Sequence, residues 1–372
     1  VKLRTYSADF LSLIVYQSIN TLFVYKYATR FLSCPWLWLL GYLIAINALL
    51  ILFYRDFDFK LGQKPNATIF VVCVVFTALL LTLIMLRFEP AKIRVGRFPA
   101  LMDWIARLLS GEYPYASPTL PSGFPFLFFL AMPFYFLGDL GWLQIFAFLV
   151  FAFILQLRYG SDGTRRLRTL ILLVVSPVFV YEIAVRSDLF SNMVVVILYM
   201  FFCLNKVRDR RIPVLFVTGL AGGFLLATRG IVLLIYVLYF GYLFKHQLKR
   251  GLIFIAGIIS GFSIVCLPFA IWNVEYFTLH GPFAIQSAYL PDWLSVLFLL
   301  LGIYLARRAP SMAVVYRYTA LTLFAAVFIA FCISLLDQGW PAAVMADRFD
   351  ISYFCFALPF LLLSLDYERR PV

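Results

Sequence analysis

Few side chains in this sequence are suited to chemistry, and their types are informative. The acids Glu89, Asp103 and Asp188 can take up a proton. The cations Arg94, Arg97, Arg186, Arg229 and Arg348 can hold an oxyanion. Asp188 and Arg186 share a very short loop between apolar runs. Arg229 stands between two more with almost no loop, where a merely solvated charge is costly. Asp103 precedes Arg107 by one helical turn, so simple ion pairing competes with chemistry there. Glu89 follows the end of an apolar run, and Arg348 is flanked by Asp347 and Asp350, which can neutralise it locally. Glu112, Tyr113 and Tyr115 form a polar, aromatic stretch whose tyrosines also suit a membrane interface. His280 lies in the loop NVEYFTLHGPFAIQ with Glu275. The only other histidine is His246, which excludes a histidine-rich metal site, and neither a Walker loop nor a dinucleotide fingerprint is present.

The elements that must position these residues are apolar. Of 372 residues, 64% are hydrophobic and 13% charged, against about 25% charge in soluble domains. That excludes a cytosolic enzyme, a disordered chain and a disulfide scaffold. The six cysteines are scattered without a CxxC pair, and read as small apolar side chains. The net charge of +13 sits in short clusters between apolar runs, as orientation signals do, rather than on a nucleic-acid surface. Runs near 8–27, 36–54, 67–86, 141–157, 169–185, 189–205, 212–228, 230–245, 252–273, 292–306, 312–335 and 351–366 predict an all-α, polytopic transmembrane helical bundle of about 12–13 spans. Residues 1–372 are expected to form one integral domain.

The thirteenth run, 122–138, is short and contains Pro125 and Pro133. Basic clusters at 158–168, 206–211, 245–250, 307–308 and 369–370 recur at every second loop and predict a cytoplasmic location. If 122–138 does not fully cross, both termini share that side and residues 87–121 lie outside. If it crosses, 87–121 lie inside.

Residues 87–123 read RFEPAKIRVGRFPALMDWIARLLSGEYPYASPTLPSG. Pro99 at a helix start, Leu101, Ile105, Leu108 and Leu109 near one face, and Gly111 as a stop predict an amphipathic helix on the membrane surface. A stretch ending LLSGEYPY, followed by a proline-rich turn and an apolar run closing on FLG at 136–138, resembles the first outer loop of GT-C superfamily glycosyltransferases. SPVFVYEIAVRSD at 176–188, GLAGGFLLATRG at 219–230 and ADRFDISYFCFALPFLL at 346–362 are similar to later motifs of that family, in order. The likeness covers about residues 67–365 and leaves 1–66 as two extra N-terminal spans before a core at 67–366. The family places an aspartate near the start of this loop, where this chain has EPAKIRVGR and no aspartate.

The resemblance implies that 87–121 lie outside and that the chain moves a sugar from a polyprenyl-phosphate donor to an extracytoplasmic glycan, lipid or protein. It implies a multi-pass protein of a bacterial inner membrane whose active face is periplasmic or extracellular. Asp103, Asp188 and Glu89 would then be the candidate proton acceptors. Arg229, Arg186, Arg348, Arg94 and Arg97 would meet the donor phosphate, and Glu112, Tyr113, Tyr115 and His280 would contact substrate. Two outer acids leave room for a divalent ion, Mg or Mn, although the residues do not demand one. The competing readings are a lipid-linked oligosaccharide polymerase or ligase, and a non-enzymatic transporter or flippase.

Overall fold

In the computed structural model the described residues are 2–54, 63–93, 97–119, 121–160, 162–206, 211–288 and 290–365. The chain is all-α, 84% helical, with no strand among those residues. The helices are α1 (Lys2–Phe31), α2 (Pro35–Tyr54), α3 (Gln63–Arg87), α4 (Arg97–Leu109), α5 (Phe126–Phe136), α6 (Gly141–Tyr159), α7 (Gly163–Val174) and α8 (Pro177–Ala184). After them come α9 (Leu189–Lys206), α10 (Ile212–Leu226), α11 (Val232–Leu243), α12 (Leu248–Trp272), α13 (Pro282–Ser287), α14 (Asp292–Arg308), α15 (Met312–Trp340) and α16 (Leu358–Ser364). Helices satisfy their own backbone groups, which an apolar surround cannot do for them.

By length and composition, five helical segments among the described residues can cross a membrane: Pro35–Phe53, Ala67–Arg87, Gly141–Tyr159, Leu248–Trp272 and Met312–Met345. The number is up to seven if α7 with α8, bent by 61°, and Tyr276–Ser287 with α14, bent by 63°, each count as one broken span. The chain is therefore a multi-pass membrane protein by its helices, with fewer long spans than its twelve or thirteen apolar runs. The shortfall has a physical cause. α10 and α11 hold 15 and 12 residues, and a helix rises about 1.5 Å per residue against a core of about 30 Å. The 122–138 run yields only the 11 residues of α5, with Pro133 inside it. At about 17 Å it does not cross, because both of its ends lie on one face: the Phe126 amide donates to the Ala227 carbonyl at 2.9 Å, and Asp139, just beyond it, pairs with Arg186 at 2.8 Å.

Contacts between helix ends show how the path is laid out. Arg186, after α8, donates to the carbonyls of Met85 (2.9 Å) and Phe88 (3.1 Å) at the end of α3, and pairs with Asp139 before α6 at 2.8 Å. Lys26 near the end of α1 reaches Asp347 beyond α15 at 2.5 Å. At the other ends of these helices, Arg158 lies over the Tyr316 ring at 4.8 Å, Arg166 over Phe70 at 5.0 Å, and the Lys245 ammonium is 3.4 Å from the Ala309 carbonyl. The chain thus runs back and forth between two polar faces. One carries the basic clusters at 158–168, 245–250 and 307–308, and the other carries α4, Asp139, Asp188, Arg229 and Asp350.

Two packing features fix the second face. α10 and α12 lie close together through Gly219, Gly223, Gly257 and Gly261. A Cβ on Gly261 would strike the Leu220 carbonyl oxygen, and one on Gly223 the backbone of Ile258 and Phe262. Gly222 faces the Tyr199 hydroxyl instead. α4 lies across the face with Ala100, Leu101, Trp104 and Ile105 buried, packed with Tyr115, Phe128 and Phe269 in a satellite core. The helix stops at Leu109, and the turn that follows places Gly111 at a φ of +76° that only glycine adopts cheaply, as the sequence predicts.

Candidate functional site

Each charged group on this face is held at an element end. Asp188 precedes α9, and its carbonyl accepts the Asn192 N–H at 3.0 Å, so a carboxylate sits at the positive end of that helix dipole. Arg229 occupies the tight turn between α10 and α11, Arg97 is the first residue of α4, and Asp350 caps the short 3₁₀ turn Ile351–Ala357. Asp350 Oδ1 accepts from the Ser352 amide at 2.9 Å and from its hydroxyl at 2.5 Å.

These four side chains form one alternating set. Arg229 Nε donates to Asp188 Oδ2 at 2.9 Å, and its Nη2 donates to the same oxygen. The two side chains are 4% and 5% exposed, so the pair is shielded from water. Arg97 Nη1 lies 3.8 Å from Asp188 Oδ1. Arg97 Nε donates to Asp350 Oδ2 at 3.0 Å, joined by Nη2, and the guanidinium stacks 4.8 Å from the centre of the Tyr353 ring. Burial alone would raise the Asp350 carboxyl, but the Arg97 charge and the Ser352 hydrogen bonds overcome it and hold it below its ordinary value. Burial likewise works against the Arg97 charge, and Asp350, Tyr353 and Asp188 outweigh it, raising that group above its ordinary value. Arg97 Nη1 is buried and makes no hydrogen bond with a described residue. Its ion pair with Asp188 at 3.8 Å is too long for a hydrogen bond, and an anionic ligand within reach would supply one.

Beside this set is a cavity of about 540 Å³. Its wall is apolar, including Phe124, Phe262, Phe283, Leu290, Phe298 and Ala330, with Arg229 and Tyr353 on its lining. Gln286 closes one side. Its carbonyl oxygen accepts from the Gly230 amide at 2.7 Å, and its amide donates to the Ser122 carbonyl at 2.6 Å. The arrangement offers a buried guanidinium at the end of an oily slot, which suits an amphiphile with an anionic head.

The other sequence-derived candidates fall elsewhere. Arg186 spends Nε, Nη1 and Nη2 on Asp139, Phe88 and Met85, so it clamps three elements and has little left for a ligand. Arg348 is exposed and absent from the cavity lining, and it is its neighbour Asp350 that joins the set. Arg94 lies outside the described residues. Asp103 accepts from Arg107 at 3.0 Å and from the Ser117 hydroxyl at 2.6 Å, and Glu112 pairs with Arg107 at 3.0 Å. Six residues after Arg97, Asp103 is turned about 240° around the helix from it. The Tyr113 hydroxyl donates to the carbonyls of Phe269 and Asn273, both at 3.0 Å, and that of fully buried Tyr115 to the Gly123 carbonyl at 2.8 Å. Both rings anchor the loop. His280 is exposed, its ring 5.5 Å from Tyr276, and does not line the cavity. Glu89 is 61% exposed and pairs with Lys92 at 2.7 Å.

Sequence reasoning missed Glu182, Asp139 and Lys26. Glu182 is fully buried and accepts from the Phe190 amide at 3.2 Å, and an acid inside an apolar helix is a signal in itself. A divalent ion does not fit the acids of the described residues. Among the described residues no three His, Cys, Asp or Glu side chains gather in a metal-holding group. Asp188 and Asp350 already accept from guanidiniums, which a cation would have to displace. Compared with known families, curated proteins and solved structures, the chain matches none.

Proposed function

We propose that this chain is a membrane glycosyltransferase that takes a sugar from a polyprenyl-phosphate donor. The observation that carries the reading is a buried guanidinium, Arg229, on the lining of a 540 Å³ apolar cavity, held by Asp188, which Arg97 also approaches at 3.8 Å. The isoprenoid chain lies along Phe262, Phe283 and Phe298, and the phosphate meets Arg229 and the unsatisfied Nη1 of Arg97. As the sugar leaves, the phosphate gains charge, and preformed guanidiniums in a dry site stabilise that charge without reorganising. The oxygens of Asp188 are committed to arginines, so in this scheme it orients them rather than taking the acceptor's proton.

The motifs that resemble those of GT-C enzymes, and their order along the chain, support the same reading. The alternating path between two faces is consistent with twelve crossings, some by short or broken helices. The basic loops at the start of α7 and the end of α14 support a cytoplasmic location for that face, and with it a periplasmic or extracellular location for the site face. A transporter reading fits less well, because the charges gather at helix ends rather than near a midplane. The test is to reconstitute the protein in vesicles containing polyprenyl-phosphate-linked hexoses or pentoses and to follow release of polyprenyl phosphate. Wild type should turn over at least one donor, and Arg229→Gln should lower the rate by about 10²-fold to 10³-fold. Wild-type protein inert toward every donor would overturn the proposal.

A further inference from the structure

α1 lies outside the stretch that resembles GT-C enzymes, yet it reaches the site. It is fastened at the break between α7 and α8. The Tyr16 hydroxyl donates to the Leu172 carbonyl at 2.6 Å, and Asn20 Oδ1 accepts from the Ser176 hydroxyl at 2.6 Å and from the Val178 amide at 3.3 Å. Near the end of α1, two cations converge on one carboxylate. The Lys26 ammonium lies 2.5 Å from Asp347 Oδ1, while Arg30 Nη2 donates to Asp347 Oδ2 at 2.7 Å and to the Met345 carbonyl. The Lys26 side chain is 2% exposed, and a buried ammonium is costly unless it is paired.

Asp347 opens the turn that carries Asp350. Its φ is +59°, a left-handed conformation that is uncommon for a residue with a Cβ and persists where the surroundings hold it. The next two amides, of Arg348 and Phe349, donate to the Ala342 and Ala343 carbonyls at 3.3 and 3.0 Å. Phe349 lines the oily cavity, and Asp350 pairs with Arg97. Lys26 and Arg30 thus grip one side of the turn, and Arg97 meets its other side. A guanidinium is planar and rigid. Asp350 engages its Nε and Nη2, which decides where the remaining nitrogen, Nη1, points.

We propose that Lys26 and Arg30 are positioning residues of the phosphate site: through Asp347 and Asp350 they aim Arg97 Nη1, so α1 is a working part of the site rather than an appendage to it. The proposal rests on the lipid-phosphate part of the reading above.

The experiment uses the full chain. Binding of sugar-free polyprenyl phosphate is measured in mixed micelles, and donor consumption is followed separately in vesicles. Lys26→Met should weaken binding about tenfold, and Lys26→Arg should restore it. Asp347 is 37% exposed, so water takes over the charge that Lys26→Met uncovers, while Tyr16 and Asn20 keep α1 docked. Arg30→Gln, at a less buried position, should weaken binding as well. A positioning role has a signature that general loosening lacks: in an Arg97→Gln background, Lys26→Met should cost nothing further. Binding unchanged in both Lys26→Met and Arg30→Gln, or a Lys26→Met loss repeated in full in the Arg97→Gln background, overturns the proposal. Wild type that binds no polyprenyl phosphate overturns it together with the glycosyltransferase reading. Donor left unconsumed by a wild type that shows the expected binding pattern defeats that reading alone and upholds the positioning role.

Discussion

Breaking the Asp188–Arg229 pair should cost far more than deleting it. Both side chains are about 95% buried, and removing one partner of a buried pair strands an uncompensated charge at about 3–5 kcal/mol, whereas replacing both is close to neutral. The geometry also predicts an asymmetry. Arg229→Met leaves Asp188 with Arg97 still 3.8 Å away, so part of the charge stays compensated. Asp188→Asn leaves Arg229 with no carboxylate, and Arg97 falls back on Asp350 alone. Asp188→Asn should therefore be the worse single change, and the double variant Asp188→Asn/Arg229→Met should recover to within about 1 kcal/mol of wild type. Equilibrium unfolding in mixed micelles measures the cycle. The double variant should then be folded yet lose donor turnover by about 10²-fold to 10³-fold. Single variants within about 0.5 kcal/mol of wild type, or a double variant no more stable than its weaker parent, would refute the buried pair. A folded double variant with full turnover would refute its function.

Other parts of the structure give sharper local expectations. Gly261→Val should destabilise the fold by about 1–3 kcal/mol or more, because its Cβ meets the Leu220 backbone and α10 must move; an unchanged melting temperature in detergent contradicts the close packing. Asp350 has its carboxyl held below its ordinary value, so its contribution is present above its unfolded value of about 3.9 and is lost as pH falls through the lower folded value. Wild-type stability should thus decline more steeply on acidification in that range than that of Asp350→Asn, and parallel profiles count against the Arg97–Asp350 pair. In a background lacking the six cysteines, Glu112→Cys should react with an impermeant thiol reagent in intact cells and Lys249→Cys should not, both sites being exposed. The reverse pattern would invert the assigned orientation.

Local features of the fold are readable from the residues because local physics sets them. The amphipathic spacing through Leu101 and Ile105, with the stop at Gly111, is enough to specify α4. Long apolar runs specify helices, but hydropathy does not measure length in space, so 122–138 and 230–245 look like spans and form helices of 11 and 12 residues. Asp188 and Arg229 stand out because each is a charge with almost no loop around it. Their partners are hidden, since Arg97 and Asp350 are 253 residues apart and nothing in either neighbourhood names the other. Asp350 is visible only as a neutraliser of Arg348, and Lys26, paired with Asp347, gives no signal from its own surroundings. Arg186, Tyr113 and Tyr115 illustrate the opposite limit: their types suit ligand binding, but backbone carbonyls consume their donors.

In the proposed reaction one oily cavity beside Arg229 holds the chain of a lipid phosphate. Photo-crosslinking with a polyprenyl phosphate carrying a light-activated group in its first isoprene units, followed by peptide mapping, tests it directly. Adducts should concentrate on Phe262, Phe283, Leu290 and Phe298 and should decline when Arg229→Gln removes the anchor for the phosphate. Adducts spread over the exposed outer faces of α2 and α3, at residues such as Leu37, Ile44, Phe76 and Leu83, and indifferent to Arg229, would contradict it.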